Sequence, residues 1–155
     1  MDGGDNMKKH ELLEAASILL SEQPNTLSVL ANASAFIFDH IDQLNWAGFY
    51  IYDGNELNVG PFQGHVACST IALGKGVCGE AALKRQTMVI DDVTKHQNHI
   101  ACDANSRSEV VVPIIIDHKL YGVLDIDSPI HNRFNAELVD FFEDFVRLLV
   151  KTIDK

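Results

Sequence analysis

Apolar residues recur at helical spacing at both ends of the chain. Residues 8–21 place leucine and alanine every three or four positions and stop before Pro24, which predicts a helix. Thr26 is a favourable capping residue for a second helix, whose apolar stripe covers residues 27–41. Residues 135–153 carry a stripe rich in leucine and phenylalanine and predict a C-terminal helix.

Between these segments the spacing of apolar residues changes to the alternation of half-buried strands. The turn Asp53-Gly54-Asn55 predicts a hairpin, because Asp-Gly supplies the backbone angles of a tight reversal. The predicted strands cover residues 46–52, 56–60, 87–90, 109–116 and 119–127, with a candidate strand at 65–71 and a short helix at 77–85. Short connections join antiparallel strands, so the fold class is α+β, with a mostly antiparallel sheet flanked by helices. The irregular segment 91–108 is long for a compact domain, and such loops are often functional.

Composition narrows the range of partners. The chain has 155 residues and a formal net charge of −10, from 12 basic and 22 acidic side chains. An acidic surface repels nucleic acid, whereas a zwitterionic small molecule remains a suitable ligand. Neither a membrane span nor a signal peptide is expected, and a cytoplasmic location is predicted. Because Met7 looks like a natural start, residues 1–6 are expected to be an added or disordered extension of a domain covering residues 8–155.

Three cysteines, an odd number, argue against a disulfide scaffold. The simplest explanation of each cysteine is that it is a small hydrophobic residue buried in the core. Cys78 lies near the start of the predicted short helix, where unpaired backbone N–H groups predict a lowered thiol pKa. Cys102 lies in the polar loop with His99 and Arg107 nearby, which does not suit a core residue.

The pairs His65-x-x-Cys68 and His99-x-x-Cys102 have a spacing that zinc accepts. Coincidence is the better explanation, since His65 and Cys68 fall on a candidate strand where residues three apart point to opposite faces. The glycine-rich runs at 60–64 and 74–76 match no established phosphate-binding spacing. No metal site is therefore predicted.

Asp125 and Asp127 are two apart on a strand and therefore face the same side. Glu109 begins the preceding strand and can meet them across the hairpin. Three converging carboxylates would bind an ammonium group and raise the pKa of at least one of them, although a solvated sheet edge explains the spacing equally well. Trp46 and Tyr50 share a strand face and could form an aromatic wall for a small cation or methyl group, although core packing is the more common role.

Taken together, these motifs closely resemble the GAF-domain free methionine-(R)-sulfoxide reductases: NWAGFY (45–50), VGPFQG (59–64), ACSTI (67–71), GKGVCG (74–79), IDDV (90–93), HIACD (99–103), SRSEVVVPI (106–114) and GVLDIDSP (122–129). The resemblance covers about residues 46–134. It implies a single GAF domain with a six-stranded sheet, and thiol-dependent reduction of free L-methionine-(R)-sulfoxide. A ligand-sensing GAF domain is the alternative, but such sensors usually regulate an output domain, for which 155 residues leave no room.

The resemblance also implies the roles of the cysteines. Cys102 would attack the sulfoxide sulfur and become a sulfenic acid, Cys68 would resolve it as a disulfide, and Cys78 would be an auxiliary thiol. Thioredoxin, coupled to NADPH, would restore the thiols, and no bound cofactor is expected. A homodimer is plausible by the same comparison.

The implied substrate site gathers residues from several motifs. Glu109, Asp125 and Asp127 would hold the amino group and assist protonation of the sulfoxide oxygen. Trp46 would contact the methyl group, Tyr50 would line the pocket, and the substrate carboxylate would meet the backbone N–H groups of Ile100, Ala101 and Cys102. The family usually has Phe-Pro-Gly before HIACD, whereas this chain has His96-Gln97-Asn98, so its active-site loop departs from the pattern.

Overall fold

The computed structural model describes residues 8–153 and contains four α-helices and six strands. The helices are α1 (Lys9–Ser21), α2 (Thr26–His40), α3 (Gly76–Lys84) and α4 (Ala136–Ile153). The strands are β1 (Trp46–Tyr52), β2 (Glu56–Gly64), β3 (Thr70–Ala72), β4 (Met88–Ile90), β5 (Ser108–Ile116) and β6 (Lys119–Ser128). The extension expected at residues 1–6 lies outside the described residues.

The six strands form one antiparallel sheet in the order β3-β2-β1-β6-β5-β4. Two hairpins, β1-β2 and β5-β6, meet where β1 pairs with β6 at the centre of the sheet. The second hairpin turns at Asp117 and His118, which both have positive φ. The predicted α+β class and six-stranded sheet are confirmed.

Alternation along the central strands divides the molecule into two layers. On one face, residues such as Phe49, Val110 and Leu124 pack against the amphipathic helices α1, α2 and α4 and form the main core. On the other face, Trp46, Tyr50 and their neighbours pack beneath α3 in a smaller cluster. The functional side chains described below lie on this second face. No helix in the described part of the chain is long and apolar enough to cross a membrane.

Two local predictions were wrong. Asn25, not Thr26, caps α2, because its side chain accepts hydrogen bonds from the N–H groups of Leu27 and Ser28. The candidate strand at 65–71 is reduced to β3, which begins at Thr70. The reason is that side chains from β1 occupy carbonyl groups of this segment: Trp46 Nε1 donates to His65 O and Tyr50 Oη donates to Cys68 O.

Candidate active site

Three carboxylates converge on the face beneath α3. Asp125 and Asp127 lie on β6, and Glu109 on β5 is paired with Asp127 across the hairpin. Glu109, Asp125 and Asp127 are only 7%, 5% and 8% exposed. The three carboxylates therefore lie on a buried face of the sheet. The alternative of a solvated sheet edge was wrong.

Burial dominates the electrostatics of these carboxylates. It raises the pKa of Glu109 well above its usual range, and the charges of Asp125 and Asp127 raise it further. Burial also raises the pKa values of both aspartates, but their hydrogen bonds with Glu109 act in the opposite direction. Burial thus favours the neutral forms of all three carboxyls. The three groups share protons, as crowded carboxylates do.

Asp125 contains an unsatisfied acceptor. Its Oδ1 atom is buried and has no hydrogen-bond partner among the described residues. A buried acceptor without a donor is destabilising by about 1–3 kcal/mol. A ligand that carries N–H donors and a positive charge would relieve both the missing bond and the repulsion.

Aromatic rings form one wall of the site. The rings of Trp46 and Tyr50 stack with centroids 5.8 Å apart, and Phe62 stacks on Trp46 at 5.0 Å. Gly48 makes room for this arrangement, since a Cβ there would lie 2.2 Å from the Cβ of Phe62. The predicted aromatic wall beside the carboxylates is therefore present in the structure. Phe62, which the sequence did not single out, extends it.

A disulfide joins Cys68 to Cys102. Cys68 lies just before β3, and Cys102 lies in the long loop between β4 and β5. Both cysteines are half-buried, so neither is the fully buried hydrophobic residue that the sequence offered as an alternative. Since the disulfide occupies both sulfur atoms, neither His-x-x-Cys pair offers a thiolate to zinc in this form.

Cys78 is a buried free thiol in the first turn of α3. Its Sγ lies 4.0 Å from Oε2 of Glu109, and burial followed by the charges of Asp125 and Glu109 raises its pKa well above the usual range. The prediction of a lowered pKa at the helix start was wrong. Desolvation and three carboxylates outweigh the partial charge of a single helix terminus.

The loop that carries Cys102 closes the site. The N–H of Cys102 donates to the carbonyl of Ile100 at 3.0 Å, so one of the three expected carboxylate donors is occupied in this form. Ala101 is exposed and does not line the cavity. The cavity has a volume of about 40 Å³, and its lining includes Trp46, Tyr50, Cys78, His99, Cys102, Glu109, Asp125 and Asp127.

Comparisons with known proteins agree with this geometry. The profile of the GAF domain matches residues 11–153. Free methionine-R-sulfoxide reductase from Escherichia coli (strain K12) is 42% identical over 137 residues, which cover 88% of this chain and 81% of that protein. The chain belongs to the GAF-domain free methionine-R-sulfoxide reductase family.

A second relative and a solved structure of this family match the chain in sequence and in fold. The free methionine-R-sulfoxide reductase from Saccharomyces cerevisiae is 42% identical over 159 residues, covering 95% of this chain and 88% of that protein. The structure of fRMsr of Staphylococcus aureus in complex with substrate has a TM-score of 0.90 and 45% identity, covering 96% of this chain and 97% of that one. The family resemblance inferred from the motifs, with its oxidoreductase class, is confirmed.

Two residues make contacts in the site that the sequence reasoning did not foresee. His99 lines the cavity, where burial and then the charge of His96 lower its pKa. Asn45 donates to Asp103 at 2.9 Å and to Ser106 at 3.1 Å, which fastens the end of the Cys102 loop. Asn45 opens the motif NWAGFY, so a signal existed, although nothing in the pattern indicated its partners.

Proposed function

We propose that this chain reduces free L-methionine-(R)-sulfoxide to methionine, with Cys102 as the nucleophile and Cys68 as the resolving thiol. The observation that carries the proposal is the Cys68–Cys102 disulfide at the mouth of a buried carboxylate cluster. A disulfide of this kind is the expected end state of thiol-dependent sulfoxide reduction. Once the disulfide is reduced, the Cys102 thiol lies where it can attack a zwitterion bound beside the carboxylates.

The proposed chemistry balances in three steps. The Cys102 sulfur attacks the sulfoxide sulfur and takes over its oxygen, so that methionine leaves and Cys102 becomes a sulfenic acid. The Cys68 thiol then displaces that oxygen as water and forms the disulfide. A dithiol such as thioredoxin finally reduces the disulfide by exchange and becomes oxidised itself.

The carboxylates have two tasks in this proposal. Asp125 and Asp127 receive the substrate ammonium, whose charge offsets their repulsion and whose N–H groups can satisfy Oδ1 of Asp125. Glu109, protonated because of its raised pKa, supplies a proton toward the sulfoxide oxygen and makes the sulfur easier to attack. A peptide-bound substrate lacks the ammonium and would leave the buried carboxylates unpaired, which accounts for selectivity toward the free amino acid.

Cys78 is an auxiliary thiol in this scheme. Burial and the neighbouring carboxylates keep it protonated, so it is a poor nucleophile in the form described here. Its S–H group lies beside Glu109 and forms part of the pocket that surrounds the ammonium. Trp46 and Tyr50 complete that pocket on the side where the substrate methyl group would lie.

The disulfide form belongs to the end of the catalytic cycle. Reduction of the disulfide would free the Cys102 thiol to attack the next substrate molecule. One amide that could receive the substrate carboxylate, the Cys102 N–H, becomes available only if its bond to Ile100 opens.

The decisive experiment follows NADPH oxidation in the presence of thioredoxin and thioredoxin reductase. The wild-type protein should turn over the R epimer of free methionine sulfoxide and should not turn over its N-acetylated form. Cys102→Ser should be inactive, with Lys8→Ala, a change in an exposed side chain, as the matched control. Full activity of Cys102→Ser, or binding of the sulfoxide without disulfide formation, would overturn the mechanism.

A further inference from the structure

Two side chains of the loop between β4 and β5 contact the same carboxylate oxygen on α3. Oε1 of Glu80 lies 2.7 Å from Nε2 of His96 and accepts a hydrogen bond from Nδ2 of Asn98 at 2.8 Å. Asn98 also donates to the carbonyl of Gly74, just before α3, at 2.8 Å. These contacts use His96 and Asn98, two of the three positions at which the chain departs from the family pattern.

Glu80 is well suited to this contact. It lies on α3 two residues after Cys78 and is partly buried. Burial opposes its ionisation, yet the hydrogen bonds from Asn98 and His96 outweigh that effect and lower its pKa. An ionised carboxylate that accepts two hydrogen bonds holds its donors more firmly than a neutral acceptor.

The contacts restrict the loop on both sides of Cys102. Asn98 fastens the chain four residues before Cys102, and Asn45 fastens Asp103 directly after it. Anchored at these two points, the loop would keep the reduced Cys102 sulfur near Cys68. Loss of either anchor would let the reduced loop sample more conformations, and fewer of them would place the two thiols together.

We propose that Glu80 is a positioning residue that, through His96 and Asn98, holds Cys102 within reach of Cys68. In turnover this role rests on the proposed function, because Cys102 and Cys68 are the reacting pair there. The formation of the disulfide itself is independent of any substrate. The positioning role can therefore be tested even if the protein reduces no sulfoxide.

The first test measures the Cys68–Cys102 disulfide at equilibrium in glutathione buffers of known ratio. Glu80→Ala should lower the equilibrium constant for disulfide formation about tenfold, equivalent to about 30 mV for a two-electron couple. Glu80→Gln keeps an acceptor oxygen, so its equilibrium constant for disulfide formation should lie between those of Glu80→Ala and wild type. An unchanged constant in Glu80→Ala would overturn the proposal.

Lys84 provides the matched control. It lies one turn along α3, with Nζ 3.7 Å from Oε2 of Glu80, and is exposed. Lys84→Ala removes this ion pair and leaves the bonds of Glu80 to His96 and Asn98 in place. Its equilibrium constant for disulfide formation should therefore equal that of wild type. If Lys84→Ala reproduced the effect of Glu80→Ala, the cause would be the stability of α3 and the positioning role would be wrong.

A double-mutant cycle tests the route through Asn98. Glu80 and Asn98 share one hydrogen bond, while Glu80 also contacts His96 and Asn98 also donates to Gly74. The effects of Glu80→Ala and Asn98→Ala should therefore combine less than additively in the double variant. Full additivity of the two single effects would contradict the shared route. Urea unfolding of each variant checks that the fold is retained.

Turnover separates this proposal from the proposed function. If wild type reduces methionine sulfoxide, Glu80→Ala should slow disulfide formation in a single turnover about tenfold. Its affinity for the substrate, measured in a Cys102→Ser background, should change less than threefold. If wild type reduces no methionine sulfoxide, the proposed function fails, while the glutathione equilibrium still decides the role of Glu80.

Discussion

In the proposed mechanism, Glu109 supplies the proton to the sulfoxide oxygen. Burial, and then the charges of Asp125 and Asp127, raise its pKa well above the usual range and favour its neutral form. A carboxyl that stays protonated near neutral pH can act as a general acid, while the aspartates provide negative charge. Register alone brings these roles together, because Glu109 and Asp127 are paired across the hairpin.

Replacement of Glu109 by Gln should lower kcat/KM about 100-fold, because the amide keeps the shape but cannot supply a proton. The wild-type rate should be constant while Glu109 is protonated and should fall as pH rises through its raised pKa. Glu109→Gln should lack that decline. Measurement of kcat/KM across pH checks both points, with the exposed Glu11→Gln as the control, and an unchanged profile in Glu109→Gln would contradict the role.

Cys78 should be nearly inert in the folded, disulfide-bonded protein. Its sulfur is buried, and burial with the neighbouring carboxylates raises its pKa, so little thiolate exists at pH 8. An aromatic disulfide reagent should react with it about 100-fold more slowly in buffer than in denaturant. Absorbance of the released thiolate gives both rates. Equal rates would restore the sequence-based expectation of an activated thiol.

The ends of the elements depend on single side-chain contacts that apolar patterning does not show. Asn25 accepts hydrogen bonds from two N–H groups at the start of α2, at 2.8 Å from Leu27 and 3.3 Å from Ser28. Asn25→Ala should lower the free energy of unfolding by about 1 kcal/mol, as loss of a cap does. Urea unfolding measures this difference. Thr26→Ala is the control and should change the free energy little, and equal losses would assign the cap to both residues.

The helices and strands were predictable where one periodicity covers a long segment. The hairpins around residues 53–55 and 117–118 followed from turn residues between alternating strands. The strand predicted at 65–71 was wrong because Trp46 and Tyr50 donate hydrogen bonds to carbonyl groups of this segment. The spacing of apolar residues along the chain does not reveal such tertiary contacts. The same limit explains the wrong pKa of Cys78, since its carboxylate neighbours come from β5 and β6.

The candidate site was partly predictable for a related reason. Alternation showed that Asp125 and Asp127 share a side, but it could not show which side is buried. Both faces are buried, because α1, α2 and α4 cover the face opposite the carboxylates and α3 covers the face that carries them. Recognition of the motifs supplied the roles of the cysteines, whereas the contacts of Glu80 with the departing residues His96 and Asn98 became visible only in three dimensions.

At the scale of the whole molecule, the two faces of the sheet have different energetic roles. One face buries a continuous apolar core under three helices, and the other buries three carboxylates and a thiol under α3. Burial of like charges is unfavourable, so the apolar face must offset the cost of the site. Three of the 22 acidic side chains are therefore buried at an electrostatic cost, where the proposed substrate would bring a cationic group.

This penalty should appear in the pH dependence of folding. A carboxyl whose pKa is raised on folding favours the folded state fully at low pH, and that contribution is lost as pH rises through the raised value. Asp127→Asn removes one such group, so its free energy of unfolding should fall less between pH 5 and pH 8 than that of wild type. The difference should be about 1.4 kcal/mol for each pH unit of raised pKa within that range. Urea unfolding at several pH values tests this, with the exposed Asp39→Asn as the control, and parallel curves for Asp127→Asn and wild type would contradict it.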